Sequence, residues 1–85
     1  MDREVGKVIK FFSKISVAVI LTKDEIKVGD NILIRGSGNL SQTITSMQIN
    51  HKNVDKVNPD EEFGMKTNLP VEEGDIVYIV DEDVE

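Results

Sequence analysis

The chain has 85 residues, no cysteine, and a formal charge of −6 from 16 Asp/Glu against 10 Lys/Arg. This length predicts a single domain over residues 1–85, near the lower limit for a self-sufficient core, and the missing thiols exclude disulfides and thiolate metal ligation. The charge is segregated: residues 1–56 hold nine basic against six acidic side chains, and residues 57–85 hold one against ten.

The N-terminus, Met1-Asp2-Arg3-Glu4, lacks the basic and apolar regions of a secretory signal, so a cytoplasmic location is expected. Val5 to Phe12 and Ile15 to Leu21 read as two strands joined tightly at Ser13-Lys14. Neighbours on a strand face opposite ways, so one of Phe11 and Phe12 belongs inside and the other outside, where it could stack on a base or meet a partner. Ile15 to Leu21, interrupted by Ser16, is far too short to cross a bilayer, and no membrane partner is expected.

Thr22 to Glu25 is a polar link to Ile26-Lys27-Val28-Gly29-Asp30, whose Gly-Asp pair launches the strand Asn31 to Arg35. A second pair, Gly74-Asp75, launches Ile76 to Val80 in the same way. Glycine ahead of a β-branched run is expected where a turn needs positive φ before a strand. Between the two launches, Gly36-Ser37-Gly38-Asn39 is a hairpin loop and Leu40 to Lys52 reads as one long strand. Ile44 and Met47 are an odd number of positions apart, so a bulge at Thr45-Ser46 is required to point both inward.

Val54 to Asp60 reads as a loop, Glu62 to Thr67 as the fifth strand, and 81–85 as a frayed acidic tail. No segment sustains a helical apolar period. The fold class is therefore all-β, and a small closed barrel of six or seven strands is expected because closure removes exposed edges.

The chemistry-bearing motifs point to binding. Gly36-Ser37-Gly38 is too short for a phosphate-binding loop and joins strands, so no nucleotide is expected. Asp60-Glu61-Glu62 and Asp81-Glu82-Asp83 lack the spaced oxygen-ligand pattern of a cation loop, so no metal or other cofactor is expected. His51, the single histidine, shares a face with Ile49 if the strand is regular and is placed at the barrel rim. No nucleophile, base and oxyanion donor assemble from the motifs, so the chain is expected not to be an enzyme.

Val8 through Val80 resembles domain 2 of the translational GTPases, the β-barrel of elongation factor Tu and its relatives, and looks like a stand-alone elongation-factor-like protein. Ile26-Lys27-Val28-Gly29-Asp30 is similar to the family's Lys-x-Gly-Asp/Glu turn, and Ser46 to Lys52 to its Gly-Val-Glu-Met-x-Arg-Lys strand. Phe63-Gly64-Met65 and Glu73-Gly74-Asp75-Ile76-Val77 are similar to its later elements. The resemblance implies a translation or RNA-processing module contacting tRNA or rRNA. Gln48, His51 and Glu62 stand at its binding positions, in place of an acid, an arginine and an asparagine. Lys14, Arg35 and Lys52, with Lys7 and Lys10, would approach a nucleic-acid backbone. Similar barrels also end collagenase-like peptidase-family proteins, which leaves a second reading: a protein-interaction or accessory module acting in trans with such an enzyme, through an apolar contact centred on Phe11 or Phe12.

Overall fold

The computed structural model describes residues 2–80; the acidic tail expected to fray lies outside them. Its spine is β1 (Asp2–Phe12), the longest strand, which pairs antiparallel with β10 (Ile76–Val80) on one side and β2 (Val17–Thr22) on the other. The remaining strands are β3 (Ile26–Lys27), β4 (Asn31–Arg35), β5 (Asn39–Thr43), β6 (Met47–Ile49), β7 (Lys52–Val54), β8 (Lys56–Val57) and β9 (Glu62–Lys66). Eight of them form one sheet in the order β5-β4-β10-β1-β2-β9-β6-β7, and β3 pairs with β8 separately. The all-β class holds among the described residues.

The closed barrel does not form. The ladder ends at β5 and at β7, and these two strands are not paired with each other. Both ends nevertheless feed one apolar cluster, with Leu40 of β5, Met47 of β6 and Phe63 of β9 all buried and Val54 of β7 packed against it. The sheet thus curls around its core without closing its backbone ladder. Across the seam a side chain substitutes for the ladder: Gln42 Nε2 donates to the carbonyl of Lys66 (3.0 Å), and Gln42 Oε1 accepts from the amide of Asn68 (2.9 Å). Closure is dispensable here because β5 and β7 are short and carry Ser, Gln, Lys and Asn, which discourage edge pairing.

The two Gly-Asp pairs are structurally equivalent corners. Gly29 has φ +100° and Gly74 φ +96°, and the amides of Asp30 and Asp75 donate to the carbonyls three residues earlier, Lys27 and Glu72 (both 3.1 Å). Each is a type II turn with glycine where φ must be positive. In each, the aspartate carboxylate accepts the amide of the turn's first residue: Lys27 N to Asp30 Oδ2 at 3.0 Å, Glu72 N to Asp75 Oδ2 at 2.9 Å. Each corner also adds a reciprocal backbone pair to the strand it launches. Gly29 N donates to Ile44 O and Ile44 N to Asp30 O (2.8 and 2.9 Å); Gly74 N donates to Val8 O and Val8 N to Asp75 O (both 2.8 Å). Ile44 and Val8 are both fully buried.

The corners differ in one respect. Asp75, 5% exposed, also accepts Ser37 N and Ser37 Oγ (both 3.0 Å), tying the β4–β5 hairpin to the start of β10. Gly36 (φ +154°) has no room for a Cβ, which would collide with the Asp75 carboxylate.

Two expectations about register are corrected. Leu40 to Lys52 is three strands rather than one: Ile44 and Met47 are both buried, but by a break between β5 and β6 and not by a bulge. The reciprocal bonds to Gly29 and Asp30 hold Ile44 in the β4–β5 ladder, so the chain is free to reorient over Thr45-Ser46. The bulges lie in β1, between Glu4 and Gly6 and between Val8 and Lys10, and the first lets Val5 and Val8, also an odd number apart, both point inward. The loop expected over Val54 to Asp60 contains the end of β7 and all of β8, because Val57 is buried and pairs with Ile26.

Hydrogen bonds to a buried carboxylate contribute more than those of an exposed one. Asp75→Ala should therefore cost about 3 kcal/mol, against about 1 kcal/mol for Asp30→Ala, as read from urea unfolding midpoints. Equal losses would show that the Ser37 bonds contribute nothing.

Candidate functional site

Two tight turns and the outer face of β2–β9–β6 build one concavity. The β1–β2 connection is longer than expected: Phe12 pairs with Val17, leaving four residues, Ser13 to Ser16, in the turn. Ile15 N donates to Phe12 O (3.3 Å), Ser16 adopts φ +55°, and Thr67 N donates to Ser16 O (2.8 Å). Ile15, expected in a strand, is therefore on the turn and 59% exposed, with Phe12 beside it at 42%. Phe11 packs against the core, as the alternation at Phe11-Phe12 requires.

The second turn corrects the placement of His51. Ile49 pairs with Lys52, so Asn50 and His51 alone form the β6–β7 hairpin loop, with φ +51° and +66°. Two positive φ values in a two-residue loop define a type I′ turn, which favours Asn first and Gly second. Asn50 meets the first preference; His51 occupies the glycine position at a conformational cost. It does not share a strand face with Ile49.

Thr22 organises the approach to Glu62. Its hydroxyl donates to Asn58 O (2.7 Å) and accepts from Glu61 N (3.0 Å), while the backbone bonds Thr22 N to Glu61 O (2.9 Å) and Asp60 N to Thr22 O (3.0 Å) shape the loop before β9. This places Glu62 opposite Leu21 and Gly64 opposite Val19. Gly64 also pairs with Gln48, whose amide donates to Asn53 Oδ1 (3.1 Å).

The resulting concavity has a volume of about 380 Å³ and is lined by Phe12, Ile15, Val17 and Val19 on one side and by Gln48, Asn50, His51 and Glu62 on the other, with Phe63 and Gly64 between. An adjoining hollow of about 210 Å³ extends it past Ser46 and Lys66. Gln48, His51 and Glu62 are thus brought together. Lys14 precedes Ile15 in the first turn and Lys52 follows His51 in the second. Arg35 does not join them: it ends β4, separated from β2 in the sheet by β10 and β1.

Sequence reasoning missed Ile15, Asn50 and Lys66. Asn50-His51 carried a usable signal, since asparagine tolerates left-handed backbone and opens turns. Lys10 Nζ lies 5.2 Å from the centroid of the Phe12 ring, a cation–π arrangement. Amides, an imidazole, a carboxylate and apolar surface can hold a ligand by hydrogen bonding and burial. Among the described residues no three His, Asp or Glu side chains cluster as metal ligands, and no helix is long and apolar enough to cross a membrane.

No protein-family model matches the chain. It is 43% identical over 83 residues, 95% of its length, to an uncharacterized protease of Methanocaldococcus jannaschii, of which it spans only 20%. Two crystal structures of the C-terminal domain of a Geobacillus thermoleovorans protein described as a U32 peptidase superimpose with TM-scores of 0.87 and 0.84, both at 16% identity. They cover 93% and 88% of this chain, and 93% and 96% of theirs. The fold is that of these C-terminal domains.

These relatives overturn the elongation-factor resemblance, and with it the translation role. The motifs that carried it are the two Gly-Asp corners and the strands beside them, which specify turn geometry and strand launch rather than lineage. The remaining matches were weakest at Gln48, His51 and Glu62, where the residue types had already departed.

His51→Gly should raise stability by about 1 kcal/mol by removing a side chain from left-handed backbone, read as a higher thermal midpoint with an unchanged circular dichroism spectrum. A lowered midpoint would mean that the imidazole makes compensating contacts.

Proposed function

We propose that this chain is a non-catalytic accessory module that works in trans with a peptidase-family enzyme, holding a partner surface in the concavity between the β1–β2 and β6–β7 turns. One observation carries the reading: nearly the whole chain matches a fifth of an uncharacterized protease at 43% identity, so a closely similar unit occurs covalently joined to a much larger body. The C-terminal position of the structurally similar domains in their own parent protein supports it. The side chains around the concavity are suited to holding, and the larger body would supply the chemistry.

The exposed Phe12 and Ile15 favour a protein contact because they line one concavity with Val17 and Val19, and a contiguous apolar patch, unlike a lone exposed side chain, marks an interaction surface. The reading is tested by purifying the tagged chain from cells that produce it, with nuclease treatment before elution. Retention of a peptidase-family protein after nuclease is expected. Release of all bound protein by nuclease, with RNA as the bound species, would contradict the reading.

A further inference from the structure

Three features of the concavity limit what can occupy it. Its middle is empty of side chain: Gly64 lies in register between Val19 and Gln48, so the row that crosses the sheet there has a gap one residue wide. On the β2 side that gap is walled by Val17 and Val19, with Phe12 and Ile15 exposed at its mouth, and on the other side by Gln48, Asn50, His51 and Glu62. The lysines beside it are uncompensated. Arg3, Lys23 and Lys56 are ion-paired with Asp24, Glu4 and Glu25, whereas Lys10, Lys14 and Lys66 enter no ion pair among the described residues. Lys66 pairs with Val17 and Lys10 with Val19, so both lie on strands flanking the apolar row.

Building on the accessory-module reading, we propose that the concavity is an anchor site for an acidic, extended segment of the larger partner, one large apolar side chain of which seats over Gly64 beside Phe12 and Ile15. The apolar wall of the gap selects the anchor, and the unpaired lysines select negative charge around it. A polypeptide fits better than a nucleic acid because Glu62 lines the same concavity: an extended peptide alternates its side chains, so it can turn backbone N–H groups and its apolar anchor toward that carboxylate and its acidic side chains toward the lysines, whereas every nucleotide brings a phosphate. The amides of Gln48 and Asn50 likewise match the donors and acceptors of an extended backbone.

The test is a titration of the full ¹⁵N-labelled chain with a short synthetic peptide of glutamates around one central leucine, followed by amide chemical shifts. Shifts are expected at Ile15, His51 and Gly64. Affinity should fall about tenfold, the equivalent of roughly 1.4 kcal/mol, when the leucine becomes serine or when the chain carries Ile15→Ser. Ile15 is exposed on a turn, so this variant should fold normally. Replacing the glutamates with lysines should abolish binding. No binding, binding indifferent to the leucine, shifts confined to another face, or tighter binding of a single-stranded oligonucleotide of equal charge would each overturn the proposal. So would shifts that depend on the chain's own concentration without peptide, which would assign the face to a second copy. A chain that retains a peptidase-family protein but ignores the peptide keeps the accessory reading and loses this inference; one that binds the peptide but retains no such protein loses the accessory reading and, with it, the assignment of the segment to that partner.

Discussion

Two reciprocal pairs of backbone hydrogen bonds, each between a Gly-Asp corner and one buried aliphatic residue, organise the sheet. At the first corner Gly29 and Asp30 hold Ile44 by both its amide and its carbonyl; at the second, Gly74 and Asp75 hold Val8. Each pair extends an antiparallel ladder by one step beyond its last strand residues, Asn31 with Thr43 and Ile76 with Lys7. A buried backbone group left unpaired costs about as much as a lost hydrogen bond, so these steps let the corners sit against the core rather than out in solvent. Positive φ at glycine makes the geometry accessible, and the following carboxylate locks it by accepting the turn's first amide.

From this constraint the site follows. With Val8 fixed in β1, the bulge that follows it brings Lys10 and Phe12 to the outer face next to Val19 and Val17. With Ile44 fixed at the end of β5, the chain reorients over two residues and starts β6, which touches β9 at a single register position, Gln48 with Gly64. Gly64 puts no side chain over that pairing, and the concavity lies there. The corners thus bury their backbone bonds beside Val8 and Ile44, whereas the turn at the concavity leaves Ile15 exposed.

Much of this was legible in the residues. Both corners, the strand Ile76 to Val80 and the opposite facing of Phe11 and Phe12 followed from turn chemistry and alternation. Ile44 and Met47 were rightly assigned inward, but a strand break satisfies the same parity as a bulge, and local sequence does not distinguish them. Val5 and Val8 posed the same parity problem, resolved by a bulge beside Gly6, whose missing Cβ would otherwise meet Ile20 and the carbonyl of Leu21 at 2.9 Å. The hairpin at Asn50-His51 was hidden because histidine occupies the place where glycine would have signalled the turn. Closure was overestimated because the seam is bridged by the Gln42 side chain, an interaction between distant segments that no local pattern reveals.

The corners pin Val8 and Ile44 by both amide and carbonyl, and the backbone there should open less readily than at the exposed turns around the concavity. Native-state hydrogen exchange on the intact chain measures this directly. The amides of Val8 and Ile44 should be among the slowest to exchange, and those of Ile15 and His51 among the fastest. Exchange at Val8 and Ile44 as rapid as at the two turns would contradict the account.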